Sequence, residues 1–191
     1  MTNTNNSGEK NAPPLRITLV GAESCGKTTL AKQLAGHYKS WWIPEYWRYY
    51  WEAKHLASQS ILTSDEFIHI AKMQILIERQ YCGKAQHFIF LDTDTFMTSI
   101  WHYRYHKKDS EILEKIWRRS RRDLILFCTA EIPFVQDGTR DGELIRDDMS
   151  TWIENKLQKA NLNYVKISGS VGDRFTCAQS ALDELFKSSR H

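Results

Sequence analysis

The chain has 191 residues, of which 41% are hydrophobic and 26% charged, the proportions of an ordinary soluble globular protein with room for one sizeable core. A formal net charge of +3 is too small to argue for nucleic acid binding, and no run approaches the roughly 18 apolar residues of a membrane span. Cys25, Cys82, Cys128 and Cys177 lie far apart with no CxxC pair, which speaks against a zinc site or disulfide framework, and no apolar segment follows Met1 as a secretory signal would require, so a cytoplasmic location is expected.

Residues 1–14 are polar and end in Pro13-Pro14, which reads as a disordered tail ahead of a single domain over 15–191. Leu15 to Val20 is a short apolar run stopped by Gly21, a strand, and from Lys27 the apolar residues Leu30, Ala31, Leu34 and Ala35 take helical spacing. Trp41 to Ile43 forms a second strand ended by Pro44, and the capping box Thr63-Ser64-Asp65-Glu66 opens a long helix to Cys82. Three further strands are expected at His87–Leu91, Leu124–Thr129 and Tyr164–Ile167. Helices are expected at Thr95–His106, Ser110–Arg119, Asp147–Ala160 and Asp173–Lys187. Five short apolar strands alternating with helices predict an α/β fold with a parallel sheet covered on both faces, a three-layer α/β/α sandwich.

Gly21-Ala22-Glu23-Ser24-Cys25-Gly26-Lys27-Thr28 matches GxxxxGK[ST] at every fixed position, between a strand and a helix. The glycines let the backbone curl so that the N–H groups of Glu23, Ser24, Cys25, Gly26 and the residues up to Thr29 point at phosphate oxygens. Lys27 has the reach for the β- and γ-phosphates, and the Thr28 hydroxyl suits a magnesium ion, so ATP with Mg²⁺ is the expected cofactor pair. The chain contains neither NKxD nor TKxD, which disfavours guanine nucleotides.

In an open parallel sheet ligands gather at the carboxyl ends of the strands. After the second strand stand Glu45, Tyr46, Arg48 and Tyr49, offering a carboxylate to orient or deprotonate a hydroxyl and a guanidinium for phosphate oxygens. Which of the many aromatics around them stack on an acceptor ring is left open. Asp92 directly follows the apolar third strand, where a magnesium-organising carboxylate belongs; Asp94 suits either the acceptor or the cap of the next helix. Gln74 interrupts an apolar helical stripe and needs a hydrogen-bond partner in the fold or in a ligand. A polar loop over about 131–148, with Arg140 and Arg146, reads as a lid bringing charge to the transferred phosphate, and Gly169 and Arg174 in the last loop lie where the adenine edge would be held. The basic run Arg118 to Arg122 reads as a solvated helix end.

Together GAESCGKTTLA, PEYWRYY, the helix bearing Gln74, FLDTD, QDGTRD and SGSVGDR resemble, in the family's order, the ribosylnicotinamide kinase domain of the NadR family among the P-loop nucleoside and nucleotide kinases. The resemblance implies a five-stranded parallel sheet in the order 2-3-1-4-5 and phosphorylation of the 5′-hydroxyl of nicotinamide riboside to the mononucleotide. It also implies Glu45 and Asp92 as acceptor-side carboxylates, with Arg48, Arg140 and Arg146 around the phosphates. Members of this family often carry an adenylyltransferase domain ahead of the kinase; with about 14 residues before the first strand and no HxGH string, that second activity is not expected. Another nucleoside or nucleotide kinase, or an ATP-binding regulatory switch, remains as an alternative. The expected partner is a small nucleoside, not nucleic acid and without membrane insertion; assembly into homo-oligomers stays open.

Overall fold

The computed structural model describes residues 12–58, 61–132 and 146–189. Most of the expected N-terminal tail and of the expected lid, with Arg140, lies outside the described residues.

Five parallel strands form one sheet in the order β2-β3-β1-β4-β5, as the resemblance implied. They are β1 (Leu15–Val20), β2 (Trp41–Ile43), β3 (Phe88–Asp92), β4 (Leu124–Cys128) and β5 (Tyr164–Ile167). Every residue of β3 and β4 is buried, which is why both strands are nearly continuous apolar runs rather than alternating ones. The central register sets Leu19 beside Asp92 on one side and Leu126 on the other, so the carboxyl ends of β1, β3 and β4 open together.

The helices are α1 (Lys27–His37), α2 (Tyr46–Ser58), α3 (Ser64–Cys82), α4 (Thr95–His106), α5 (Glu111–Arg119), α6 (Arg146–Lys159) and α7 (Val171–Ser188). One face of the sheet packs Leu30, Leu34, Ala178 and Leu182 from α1 and α7 against Ile17, Leu19, Phe90 and Leu126. The other packs Phe67, Ile70, Phe96, Ile100, Trp117 and Ile153 from α3 to α6 against Val20, Ile125 and Phe127. Helix α7 starts two residues earlier than its apolar pattern suggests, because Ser170 and Asp173 close a capping box. Among the described residues no helix is long and apolar enough to cross a membrane.

The basic run after α5 departs from its expected role. The Arg122 side chain is buried, ion-paired through Nε to Asp94, and donates through Nη1 to the carbonyls of Trp117 (2.6 Å) and Ser120 (2.9 Å). A run of like charges thus contains one residue that the fold consumes, because Asp94 needs a counter-charge beneath α4. Near this pair lies Glu78 of α3, also buried, with its Oε1 lacking a partner among the described residues. Burial, followed by the charge of Asp94, raises its pKa to about 7 against the pull of Arg16 and Arg122. Between 4.5 and about 7 the folded chain therefore holds a proton that the unfolded chain has released, so stability falls as pH rises through that window. At about 1.4 kcal/mol per pH unit the loss comes to about 3 kcal/mol. Glu78→Gln is expected to melt several degrees above the parent at pH 8 and level with it at pH 4.5, as thermal unfolding at the two pH values will show.

Candidate active site

The loop between β1 and α1 owes its shape to two glycines. Gly21 has φ +147°, and a Cβ there would fall 2.4 Å from the Cys128 carbonyl oxygen. Gly26, at φ +82°, is the N-cap of α1 and supplies no side-chain cap, so the first amides of the helix face the loop without a side-chain acceptor. Lys27 folds back over the loop, donating to the carbonyls of Gly21 (3.0 Å) and Ala22 (2.6 Å). Burial lowers its pKa, but the groups of Cys25, Glu45, Asp92 and Cys128 raise it by more, so the ammonium stays charged at working pH. The Cys25 thiol, 3.7 Å from the Lys27 nitrogen, is opposed by burial yet held at about 6 by Cys128 and Lys27.

Asp92 ends β3 at the same level. Its Oδ2 accepts the Thr28 hydroxyl at 2.5 Å, which joins the two expected metal oxygens across the sheet. Burial raises the Asp92 pKa, against Lys27, Thr28 and Arg48. The next residue, Thr93, has φ +70°, a left-handed conformation that a β-branched residue adopts only under constraint, at a cost of about 1–3 kcal/mol. Its amide is held by the Leu19 carbonyl at 3.1 Å, and its side chain lies close enough to Glu45 to restrain the rise of that carboxyl's pKa. The strained turn places Thr93 in the lining of the same cavity as Glu45.

Glu45 sits between β2 and α2. Burial, with some help from Asp92, raises its pKa to about 7, while Lys27, Arg48 and Thr93 restrain the rise. Lys27, Glu45, Arg48 and Asp92 thus share one electrostatic neighbourhood and line a cavity of about 310 Å³. Its far wall is apolar: Trp47 of α2 and Trp101 of α4 lie stacked, ring centroids 5.9 Å apart and 19° from parallel. The Trp47 indole N–H is buried with no partner among the described residues.

The cavity gathers Glu23, Ser24, Cys25, Gly26, Lys27, Thr28, Thr29, Glu45, Arg48, Asp92 and Arg174 of the residues that the sequence singled out. The remainder stand elsewhere. Asp94 caps α4, its Oδ1 accepting Phe96 N at 2.9 Å and its Oδ2 paired with Arg122, the capping place that the sequence also offered for it. Arg146, expected at the phosphates, does not line this cavity; its Nη2 donates to the carbonyls of Ser24 (3.1 Å), in the phosphate loop, and Ile132. Tyr49 is 54% exposed on the outer side of α2, because it falls off the face that Trp47 buries. Tyr46 and Gln74 lie behind the cavity wall, bonded to one another. Gly169 accepts from Arg174 Nε at 2.8 Å, and Arg174 also donates to Cys25 O (3.1 Å) and Thr129 O (3.2 Å), tying the last loop to the first. Thr93 and Trp101 escaped the sequence reading. A threonine in FLDTD carries no sign of its backbone conformation, and Trp101 reaches the cavity only through the packing of α4.

The family model described as AAA domain matches residues 16–174. The chain is 26% identical over 157 residues to the trifunctional NAD biosynthesis/regulator protein NadR of Escherichia coli (strain K12), covering 79% of this chain and 37% of that protein. It is 24% identical over 156 residues to the protein of the same name from Salmonella typhimurium (strain LT2), with the same two shares. The chain therefore spans little more than a third of the length of these curated relatives. Among solved structures, NadR protein in complex with NR superposes with a TM-score of 0.76 at 25% identity, over 91% of this chain and 52% of that one. Deoxyadenosine kinase from M. mycoides superposes with a TM-score of 0.60 at 13% identity, over 89% and 100%, a likeness of fold alone.

Proposed function

Since the chain belongs to the AAA domain family and is a P-loop domain of the NadR type, we propose that it is an ATP-dependent kinase that phosphorylates the 5′-hydroxyl of nicotinamide riboside. The observation that carries this reading is a half-buried carboxylate, Glu45, with its pKa raised to about 7 by desolvation, sharing one cavity with the phosphate loop and its lysine. A carboxylate poised near neutrality takes a proton from an alcohol more readily than a fully solvated one.

The loop amides and Lys27 would hold the triphosphate, the lysine leaving the Gly21 and Ala22 carbonyls for the phosphate oxygens as negative charge gathers there. Thr28 and Asp92 form a hard-oxygen pair of the kind that magnesium takes beside phosphates, so they suit Mg²⁺, which when bound neutralises charge between the β- and γ-phosphates. Glu45 orients the acceptor hydroxyl and receives its proton, with Thr93 beside it restraining its pKa. Arg48 lies close enough to both carboxylates to lower their pKa values and suits the phosphoryl group in transit. The tryptophan wall suits a flat ring, and a cationic one such as a pyridinium gains further from its π faces.

Purified protein with ATP and Mg²⁺ is expected to release ADP only when nicotinamide riboside is added, at least tenfold faster than with adenosine, cytidine or deoxyadenosine. Faster release with one of those nucleosides would make it a nucleoside kinase of another specificity. ATP binding without transfer to any acceptor would make it a nucleotide-operated switch.

A further inference from the structure

Helix α2 brings three cavity residues to the site: Glu45 just ahead of it, and Trp47 and Arg48 in its first turn. The first amides of a helix have no acceptor within it, and Tyr46 opens α2. That amide is met from another element: Tyr46 N donates to Oε1 of Gln74, on α3, at 3.0 Å. Gln74 is 3% exposed and does not line the cavity, so a small molecule there would not touch it. We propose that Gln74 is a positioning residue for the transfer reaction: by accepting the Tyr46 amide it fixes the peptide that carries Glu45 and so aims the carboxylate at the acceptor hydroxyl.

An amide side chain can turn over, and the flipped form would set NH₂ against N–H at Tyr46. One turn along α3, on the same face, stands Glu78. Its carboxyl lies close enough to Gln74 for a hydrogen bond from the amide to lower its pKa, although the Gln74 Nε2 meets no acceptor at full hydrogen-bond geometry. Protonated or ionised, the Glu78 carboxyl presents an oxygen on the side of that NH₂, and only the observed orientation of Gln74 sets its oxygen against the Tyr46 amide and its NH₂ toward Glu78. This explains why two polar side chains, each nine-tenths or more buried, occupy the inner stripe of an otherwise apolar helix face. The groups facing Glu45 are Lys27 from α1, Arg48 from α2, and Asp92 and Thr93 from the end of β3; those facing Glu78 are Asp94, Arg16 and Arg122.

The proposal rests on Glu45 being the proton acceptor, and the test separates the two ideas. Gln74→Met keeps the length of the side chain and removes the carbonyl. It is expected to lower kcat on the order of a hundredfold, the usual consequence of misplacing a reacting group by about an ångström. The KM for ATP should stay within twofold, and the inflection of rate with pH should leave about 7 for the range of a solvated carboxylate. Gln74→Glu, which still presents an oxygen to Tyr46, should recover most of the rate. If Glu45→Gln abolishes the inflection while Gln74→Met leaves both kcat and its midpoint at parent values, the positioning role is overturned and the assignment of Glu45 stands. If Glu45→Gln keeps full rate and inflection, both fall. Should Gln74→Met fail to fold, hydrogen exchange in the parent decides: a Tyr46 amide protected at least tenfold over its unstructured rate supports the contact, and one exchanging at that rate overturns it.

Discussion

Lys27→Ala is expected to lower phosphoryl transfer about a thousandfold or more, with the fold intact. Its contacts in the structure are with carbonyls of the loop itself and the Cys25 sulfur, so removing it opens no cavity in the sheet and breaks no bond between elements. The damage is electrostatic. A preorganised charge aimed at developing phosphate charge is worth at least the 10²–10³ typical of a single transition-state donor. The variant also loses the cation that restrains the pKa values of Glu45 and Asp92, so burial drives both higher. Two readouts follow: kcat collapses at pH 7.5, and the residual activity climbs through an inflection above the parent's value of about 7. A variant within tenfold of the parent would remove the lysine from the transfer step and the kinase reading with it.

The parts that the sequence displays and those that it hides differ in physical origin. Strand positions, the phosphate loop, and the placing of Glu45 and Asp92 were legible because each follows from local rules: apolar runs, glycine at a backbone turn, and the gathering of ligands at strand ends. Gln74 was legible as an anomaly, an amide in an apolar stripe, but its partner lies 28 residues away in the chain and only the packing of α2 on α3 reveals it. Asp94 and Arg122 each looked available for other work, as an acceptor contact and a solvated end, and proved to need one another. Arg146 shows a related limit. Sequence shows an arginine near the end of a glycine-rich loop, but not that its guanidinium donates to the Ser24 carbonyl of the phosphate loop. Contacts between residues distant in the chain were the missing information in both cases. Trp101 shows the same limit in the apolar wall, since nothing in the spacing of α4 marks it out from the other buried residues of that helix.

Glu45→Gln is expected to lower acceptor-dependent turnover by about 10² to 10⁴, the usual range for a positioned proton acceptor, while ATP affinity changes little. The direction of its pH dependence follows from the environment. Burial raises the Glu45 pKa to about 7, and a base works only when ionised, so the parent's kcat/KM should rise with pH through about 7 and level off above it. In the variant that rise should vanish, leaving a low and nearly flat profile. Unfolding cannot mimic this result. A carboxyl with a folded pKa above its unfolded one withdraws stability as pH rises toward 7, whereas an amide in the same place titrates nowhere, so at pH 8 the variant should melt no lower than the parent. Loss of turnover with undiminished melting temperature isolates the proton transfer. If the slope survives the substitution, the titrating group is Asp92, which is buried and lies against Thr28, and the division of labour between base and metal oxygen must be exchanged.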